Sequence, residues 1–257
     1  LQIVDALKAH PNFIFYKSSI TDNHLLERIF SVCGSVDIFY HLAAIINISW
    51  SMKNPEETML VNYFASRNLH NQSMKLGIRS FVFSGSAAEY GMPINRAVAE
   101  NEAGFTKSPY GESKFLTTTY IEKAGYGTVL RFFNLYGPTY GPISSYDGVV
   151  RLFISQIINN EPISIFGDGS QTRDFVYVYD AVDSLINVSG LGKCSPRHGV
   201  FNVGTGLSTS IQNIAHDLLQ ISGINIPINY FPERLGELRH SCANIEKLKK
   251  NFHIVPE

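Results

Sequence analysis

The chain has 257 residues, 44% of them hydrophobic and 17% charged, and a net charge of -1 at neutral pH. That composition excludes a disordered or fibrous chain and leaves room for one large domain or two small ones. It carries no block of like charge and no apolar run near the roughly 20 residues of a membrane span, so neither nucleic acid nor a membrane is expected as a partner.

Residues 1–9 read as the tail of an element already in progress. Residues 12–16 predict a short strand, and residues 18–22 a turn in which Asp22 caps a helix over 23–32. Residues 36–42 predict a buried strand ending in the small pair Ala43 and Ala44. A long helix follows over 55–76, stopped by Gly77, then a strand over 80–84. Ser108 and Pro109 are suited to the N-cap and first turn of a helix over 110–123, and 128–132 is a further strand. Strand and helix alternate, which predicts an α/β fold with a parallel sheet covered on both faces.

The second half differs. Residues 137–148 are rich in Gly, Pro, Ser and Tyr and predict a long functional loop. An amphipathic helix over 149–159, a turn at Gly167, Asp168 and Gly169, late strands over 175–178 and 200–203, and a helix over 210–222 complete the reading.

The chemistry concentrates at Ser86, Tyr110 and Lys114. On a helix, Tyr110 and Lys114 lie one turn apart on one face. An ammonium beside a phenol favours the phenolate and is expected to lower its pKa. Such a phenol can take a proton from an alcohol while a hydride leaves the same carbon, with the Ser86 hydroxyl at the same centre. That is alcohol–ketone chemistry, and it requires a nicotinamide. Ala43, Ala44, Ser84, Ser86 and Asn134 all fall at predicted strand ends, where ligands of parallel sheets bind. Cys33, Cys194 and Cys242 are scattered and odd in number, which fits a reduced, cytoplasmic setting. The eight histidines show no ligand spacing, and no metal site is expected.

In order along the chain, six segments resemble the extended short-chain dehydrogenase/reductase family, in its nucleotide-sugar epimerase/dehydratase branch. Residues 37–44 resemble D-x-V-x-H-x-A-A, and Asn62 matches an asparagine near the cofactor site. Residues 83–91 resemble S-S-[ST]-x-x-x-Y-G, residues 130–138 L-R-[YF]-x-N-x-Y-G-P, residues 166–175 F-G-x-G-x-Q-x-R-D-F, and residues 234–237 R-x-G-[DE]. The resemblance implies a Rossmann-like doubly wound sheet with a smaller C-terminal substrate-binding domain. Residues 1–136 with 174–206 would bind the dinucleotide, and residues 137–173 with 207–257 the nucleotide sugar. It places Leu42, Ala43, Ala44, Asn62, Ser84, Tyr110, Lys114 and Phe133 at NAD, with NADP not excluded. It places Ser86, Asn134, Phe166, Arg173 and Arg234 at the substrate. Arginine suits a diphosphate because its planar fork matches phosphate oxygens. For Phe133 simple core packing stands as an equal alternative.

Among the reactions of that family, dehydration and decarboxylation use a glutamate two places before the tyrosine of Y-G. Ala88 stands there, and Glu89 follows one place later, where it points elsewhere on an alternating backbone. The resemblance therefore implies epimerisation at C4 of a UDP-hexose through a 4-keto sugar. A nucleotide-sugar 4-reductase or dehydratase of the same family and a non-catalytic nucleotide-binding relative remain open. It also implies a homodimer formed through the helices over 55–76 and 110–123.

The chain contains no G-x-x-G-x-x-G after an initial strand. By resemblance, about fifty residues carrying the first strand, first helix and second strand would precede the segment at 12–16, so further chain is expected before Leu1. Ser18 and Ser19 stand where relatives often have Gly-Asp near the adenine.

Overall fold

The computed structural model describes residues 2–91, 96–104, 106–138, 147–192, 194–233 and 239–256. In chain order these form α1 (Gln2–Lys8), α2 (Leu25–Cys33), β1 (Ile38–His41), α3 (Ile48–Lys53) and α4 (Pro55–Met59). A π-helical stretch, Leu60–Ala65, joins α4 to α5 (Ser66–Lys75). Then come β2 (Ser80–Ser86), a 3-10 turn (Ala87–Tyr90), α6 (Pro109–Ala124), β3 (Thr128–Phe132), β4 (Asn134–Tyr136) and α7 (Val149–Ile158). Next are β5 (Ile163–Phe166), β6 (Thr172–Arg173), β7 (Phe175–Tyr177), α8 (Val178–Ser189), β8 (Gly199–Val203) and β9 (Thr209–Ser210). The chain closes with α9 (Ile211–Ser222), β10 (Ile228–Phe231) and α10 (Glu246–Phe252).

Strands β1, β2, β3 and β8 form a parallel sheet in that order, as the alternation of elements predicts. Every residue of β3 is buried, the mark of a strand covered on both faces. The pleat divides the side chains. Phe81, Phe83, Val129 and Val200 meet Ile121 of α6 on one face. Val82, Leu130, Phe132, Phe201 and Val203 meet Ala181 and Val188 of α8 and Leu248 and Phe252 of α10 on the other. The register sets Ser86 opposite Phe132, and Phe132 opposite Val203, so the three strands end level. A second apolar cluster joins Phe153 and Ile157 of α7, Ile163 and Ile165 of β5, and Ile211 and Ala215 of α9. Strand β5 pairs in parallel with β10, and β4 with β7.

Three expectations are corrected. Residues 12–16 are irregular, with Ile14, Phe15 and Tyr16 exposed. Among the described residues nothing supplies a ladder for them, and a strand requires a hydrogen-bonded neighbour as well as propensity. The helix from Pro55 is interrupted by its π-helical stretch. Asp22 does not cap α2: His24 takes that place, while Asp22 accepts from the His24 N–H at 2.9 Å in a local turn and pairs with Arg28. No described helix is long and apolar enough to cross a membrane.

Candidate active site

Helix α6 starts where its sequence says it must. Ser108 accepts from the Gly111 N–H at 3.1 Å, and Pro109 occupies the first turn, where no N–H is needed. Gly111 meets the Ala88 carbonyl so closely that a Cβ would stand 2.7 Å from its oxygen. This approach carries Tyr110 to the end of β2, where the Ser86 hydroxyl lies close enough to its phenol to pull the phenol pKa down. Ser86 Oγ also accepts from the Ala88 N–H at 3.2 Å, which orients it.

Lys114, one turn along, is buried at 2% exposure. Its Nζ donates to the Ser84 carbonyl at 2.7 Å and lies 4.6 Å from the centre of the Phe83 ring. Burial pulls its pKa down to about 8, against the opposing pull of Glu89. The Tyr110 phenol is raised: burial dominates, Ser86 lowers it and Glu89 raises it. The expected depression of the phenol by Lys114 is thus corrected. The ammonium engages Ser84 and Phe83, and burial decides the phenol's direction. Ser84, expected at the cofactor, has its carbonyl engaged by Lys114. His41 is no proton carrier near neutrality, since burial and then Lys114 drive its pKa down to about 3 and its ring bonds Ser66 Oγ at 2.7 Å.

Leu42 and Ala43 lie exposed just beyond the carboxyl end of β1, and Ala44 after them is half-buried. Asn62, 1% exposed, holds the next turn of chain. Its Oδ1 accepts from the Ile45 N–H and its Nδ2 donates to the Ile45 carbonyl, each at 2.8 Å. The same Nδ2 reaches Ser113 Oγ at 3.1 Å, and Thr117 Oγ1 donates to the Asn62 carbonyl at 3.0 Å. Asn62 sits in the π-helical stretch, whose altered register leaves its carbonyl open to Thr117. It therefore shapes the loop after β1.

On the substrate side, a cavity of about 540 Å³ is lined by Asn134, Phe166, Arg173, Gln171, Gln156 and Asp147, among others. Three of the five substrate-side candidates therefore line one cavity. Arg173 donates to the Thr172 carbonyl at 2.8 Å, and Phe166 packs on Phe231 with ring centres 5.5 Å apart. Asn134 is set by its backbone N–H, which donates to the Asp174 carbonyl at 2.9 Å. Ser86, Tyr110 and Lys114 do not line this cavity. Ser86 is instead linked to it through β3, whose Phe132 faces Ser86 two residues before Asn134. Phe133 is a core residue, 5% exposed and 6.2 Å from the Tyr90 ring centre. Arg234 lies outside the described residues.

Sequence reasoning left Asp174 without a role. Fully buried, it accepts from the Thr205 N–H and Oγ1 at 2.8 Å, the Gly206 N–H at 3.0 Å and the Ala243 N–H at 2.9 Å. One carboxylate thus ties the chain after β8 to the segment before α10, directly beside Arg173. Its only local signal was its place within R-D-F.

Independent comparison narrows the identity. The model of the NAD dependent epimerase/dehydratase family matches residues 3–204. The chain belongs to this family. Its likeness to a Methanocaldococcus jannaschii protein whose provisional name is UDP-glucose 4-epimerase is 33% identity over 244 residues, covering 93% of this chain and 77% of that protein. A solved UDP-glucose 4-epimerase from Thermotoga maritima, holding UDP-glucose, superposes with a TM-score of 0.88 at 31% identity, covering 100% of this chain and 89% of that one. A Thermus thermophilus UDP-glucose 4-epimerase in complex with NAD gives a TM-score of 0.85 at 25% identity, covering 96% of this chain and 81% of that one. The Rossmann-like parallel sheet is shared with these epimerases.

Proposed function

We propose that this member of the NAD-dependent epimerase/dehydratase family inverts C4 of a nucleotide sugar, with a UDP-hexose as substrate and a 4-keto sugar between. The observation that carries the reading is the Tyr110–Ser86 hydroxyl pair at the carboxyl end of the sheet, with Ala88 in place of a second acid. The bound UDP-glucose of the Thermotoga relative supports the choice of sugar nucleotide.

The residues present suit the nicotinamide end of NAD. Ala43 and Ala44 leave the backbone beyond β1 open, and Asn62 fixes the turn that follows. When bound, NAD supplies reversible hydride acceptance at the sugar carbon. Tyr110 moves the proton of the C4 hydroxyl, and Ser86 hydrogen-bonds the same oxygen. Burial favours the neutral phenol, the form that returns a proton to the oxygen when the alcohol is re-formed; Ser86 pulls the other way and eases its departure. Lys114 holds the end of β2 through Ser84 and carries positive charge beside the reacting centre. Asn134, Phe166 and Arg173, in the part of the chain over 137–173 and its approach from β3, hold the nucleotide while the sugar turns. No step requires an acid at position 88, and Glu89 is already committed to Arg131 at 2.7 Å, which disfavours dehydration.

A homodimer formed through α4–α5 and α6 belongs to the same reading. Leu60 and Phe64, exposed one turn apart, support it, and sedimentation velocity measures it. The direct test is incubation with UDP-, GDP- and dTDP-sugars read by chromatography. Interconversion of C4 epimers without net nicotinamide consumption is expected, and Tyr110→Phe should lose it. Turnover retained in Tyr110→Phe, or stoichiometric use of reduced nicotinamide, refutes the proposal.

A further inference from the structure

Glu89 is a fully buried carboxylate in the 3-10 turn that follows β2. Its Oε1 accepts from the Ser86 N–H at 2.9 Å, and its Oε2 accepts from Arg131 Nε at 2.7 Å. Arg131, 3% exposed on β3, is itself anchored: Nη1 donates to the Glu100 carbonyl at 2.6 Å and to the Tyr90 hydroxyl at 3.3 Å. Tyr90 in turn donates to Asn202 of β8, whose Nδ2 donates to the Val98 carbonyl at 2.9 Å. A continuous polar chain therefore runs from the Ser86 backbone across β3 to β8. Gly85 makes room for it, since a Cβ there would stand 2.8 Å from Glu89 Oε1 and 3.1 Å from Arg131 Cγ.

A buried ion pair is weak support for stability, because desolvation offsets its attraction and an apolar pair can replace it. What this pair contributes is geometry. We propose that Glu89 is a positioning residue: clamped by Arg131, its carboxylate fixes the Ser86 backbone and thereby the hydroxyl that meets Tyr110. The proposal rests on the acid/base reading above. Ser86 and Glu89 form a reciprocal cap, the serine side chain serving the turn while the glutamate side chain serves the serine N–H. Losing the carboxylate frees Ser86 N–H and lets the serine hydroxyl drift from the phenol. The charged and titratable groups around the carboxylate are Arg131 from β3, Tyr110 and Lys114 from α6, Tyr90 from its own turn and Glu100 beyond Arg131. His41 faces Lys114 from β1.

The test compares two double variants, Glu89→Gln with Arg131→Met and Glu89→Leu with Arg131→Met. Both remove the buried charges together; only the glutamine keeps an oxygen for the Ser86 N–H. The leucine variant should fall about a hundredfold below the glutamine variant in kcat, the cost of a small misplacement of a reacting group. KM for the nucleotide sugar should be the same in both, because Asn134, Phe166 and Arg173 are untouched. Ultraviolet difference titration against Tyr110→Phe should find the phenol ionising at higher pH in the leucine variant, since Ser86 no longer lowers it. Equal kcat and equal phenol titration in the two variants would overturn the proposal. So would an experimental structure of the unaltered protein with Ser86 N beyond hydrogen-bond reach of Glu89, whichever variants fold. If the unaltered protein converts no nucleotide sugar, the functional reading fails alone, and the titration still decides the positioning.

Discussion

Gly111→Ala separates stability from catalysis at the point where α6 meets the turn after β2. The added methyl would stand 2.7 Å from the Ala88 carbonyl oxygen and 3.4 Å from Thr106 Cβ. Relief requires a shift of roughly 0.7 Å to reach ordinary contact at about 3.4 Å, and the opposing atom is backbone, so no side-chain rotation supplies it. Such overpacking costs about 1–3 kcal/mol. Alanine returns about 1 kcal/mol as the better helix former. The net loss is therefore on the order of 0–2 kcal/mol, or a few degrees in Tm for a chain of this size. Catalysis has no such offset, because the shift separates Tyr110 from Ser86. A fall in kcat of about tenfold is expected for a displacement of that size. Thermal denaturation and steady-state kinetics on the same preparation decide the matter. A variant with kcat within about twofold of the parent and an unchanged Tm would show that the close approach does not hold the site, contrary to the scale of such misplacements.

Other outcomes follow from the same geometry. Lys114 pays for its burial: folding lowers its pKa from 10.5 to about 8, so below that range the folded state carries a desolvation cost of at most about 3 kcal/mol. Between about 8 and 10.5 the unfolded chain holds the extra proton, so stability from this group rises with pH. Lys114→Met should therefore be inactive yet more stable at neutral pH, with an advantage that shrinks on titration to alkaline pH; denaturant melts across that range check the sign. Asp174→Asn should lose about 3 kcal/mol, because an amide NH₂ would face backbone N–H donors where a carboxylate oxygen now accepts them. Chemical denaturation measures it, and an unchanged midpoint would refute the clamp. Arg173→Lys should raise KM about tenfold for a nucleotide diphosphate sugar while leaving kcat nearly unaltered, since a point charge replaces a planar fork. Initial-rate kinetics separates the two parameters.

Much of the central sheet was legible because its information is local. β3 reads as a strand from Val129, Leu130 and Phe132, and α6 announces itself through Ser108 and Pro109. The spacing of Tyr110 and Lys114 put both on one helix face without reference to anything else. The segment at 12–16 was misread for the complementary reason: propensity is local, whereas strand pairing depends on a neighbour that local pattern cannot supply. The π-helical register at Leu60–Ala65 was equally invisible, because it accompanies long-range contacts: Asn62 bonds across to Ile45 and Ser113, and Thr117 donates to the Asn62 carbonyl. Phe133 could be assigned to core or ligand only after the sheet placed its ring beside Tyr90.

Residue order alone established the alternating α/β plan, the phenol–ammonium spacing and the motif series that resembles the epimerase/dehydratase family, since each depends on neighbours a few positions apart. Folding alone decided where the charges settled. Lys114 turns to the Ser84 carbonyl, Glu89 turns under Ser86 to Arg131, 42 positions along the chain, and burial sets the direction in which Tyr110 titrates. Those outcomes depend on which groups are brought together after water is excluded, and solvation is a property of the assembled interior that no stretch of sequence carries by itself.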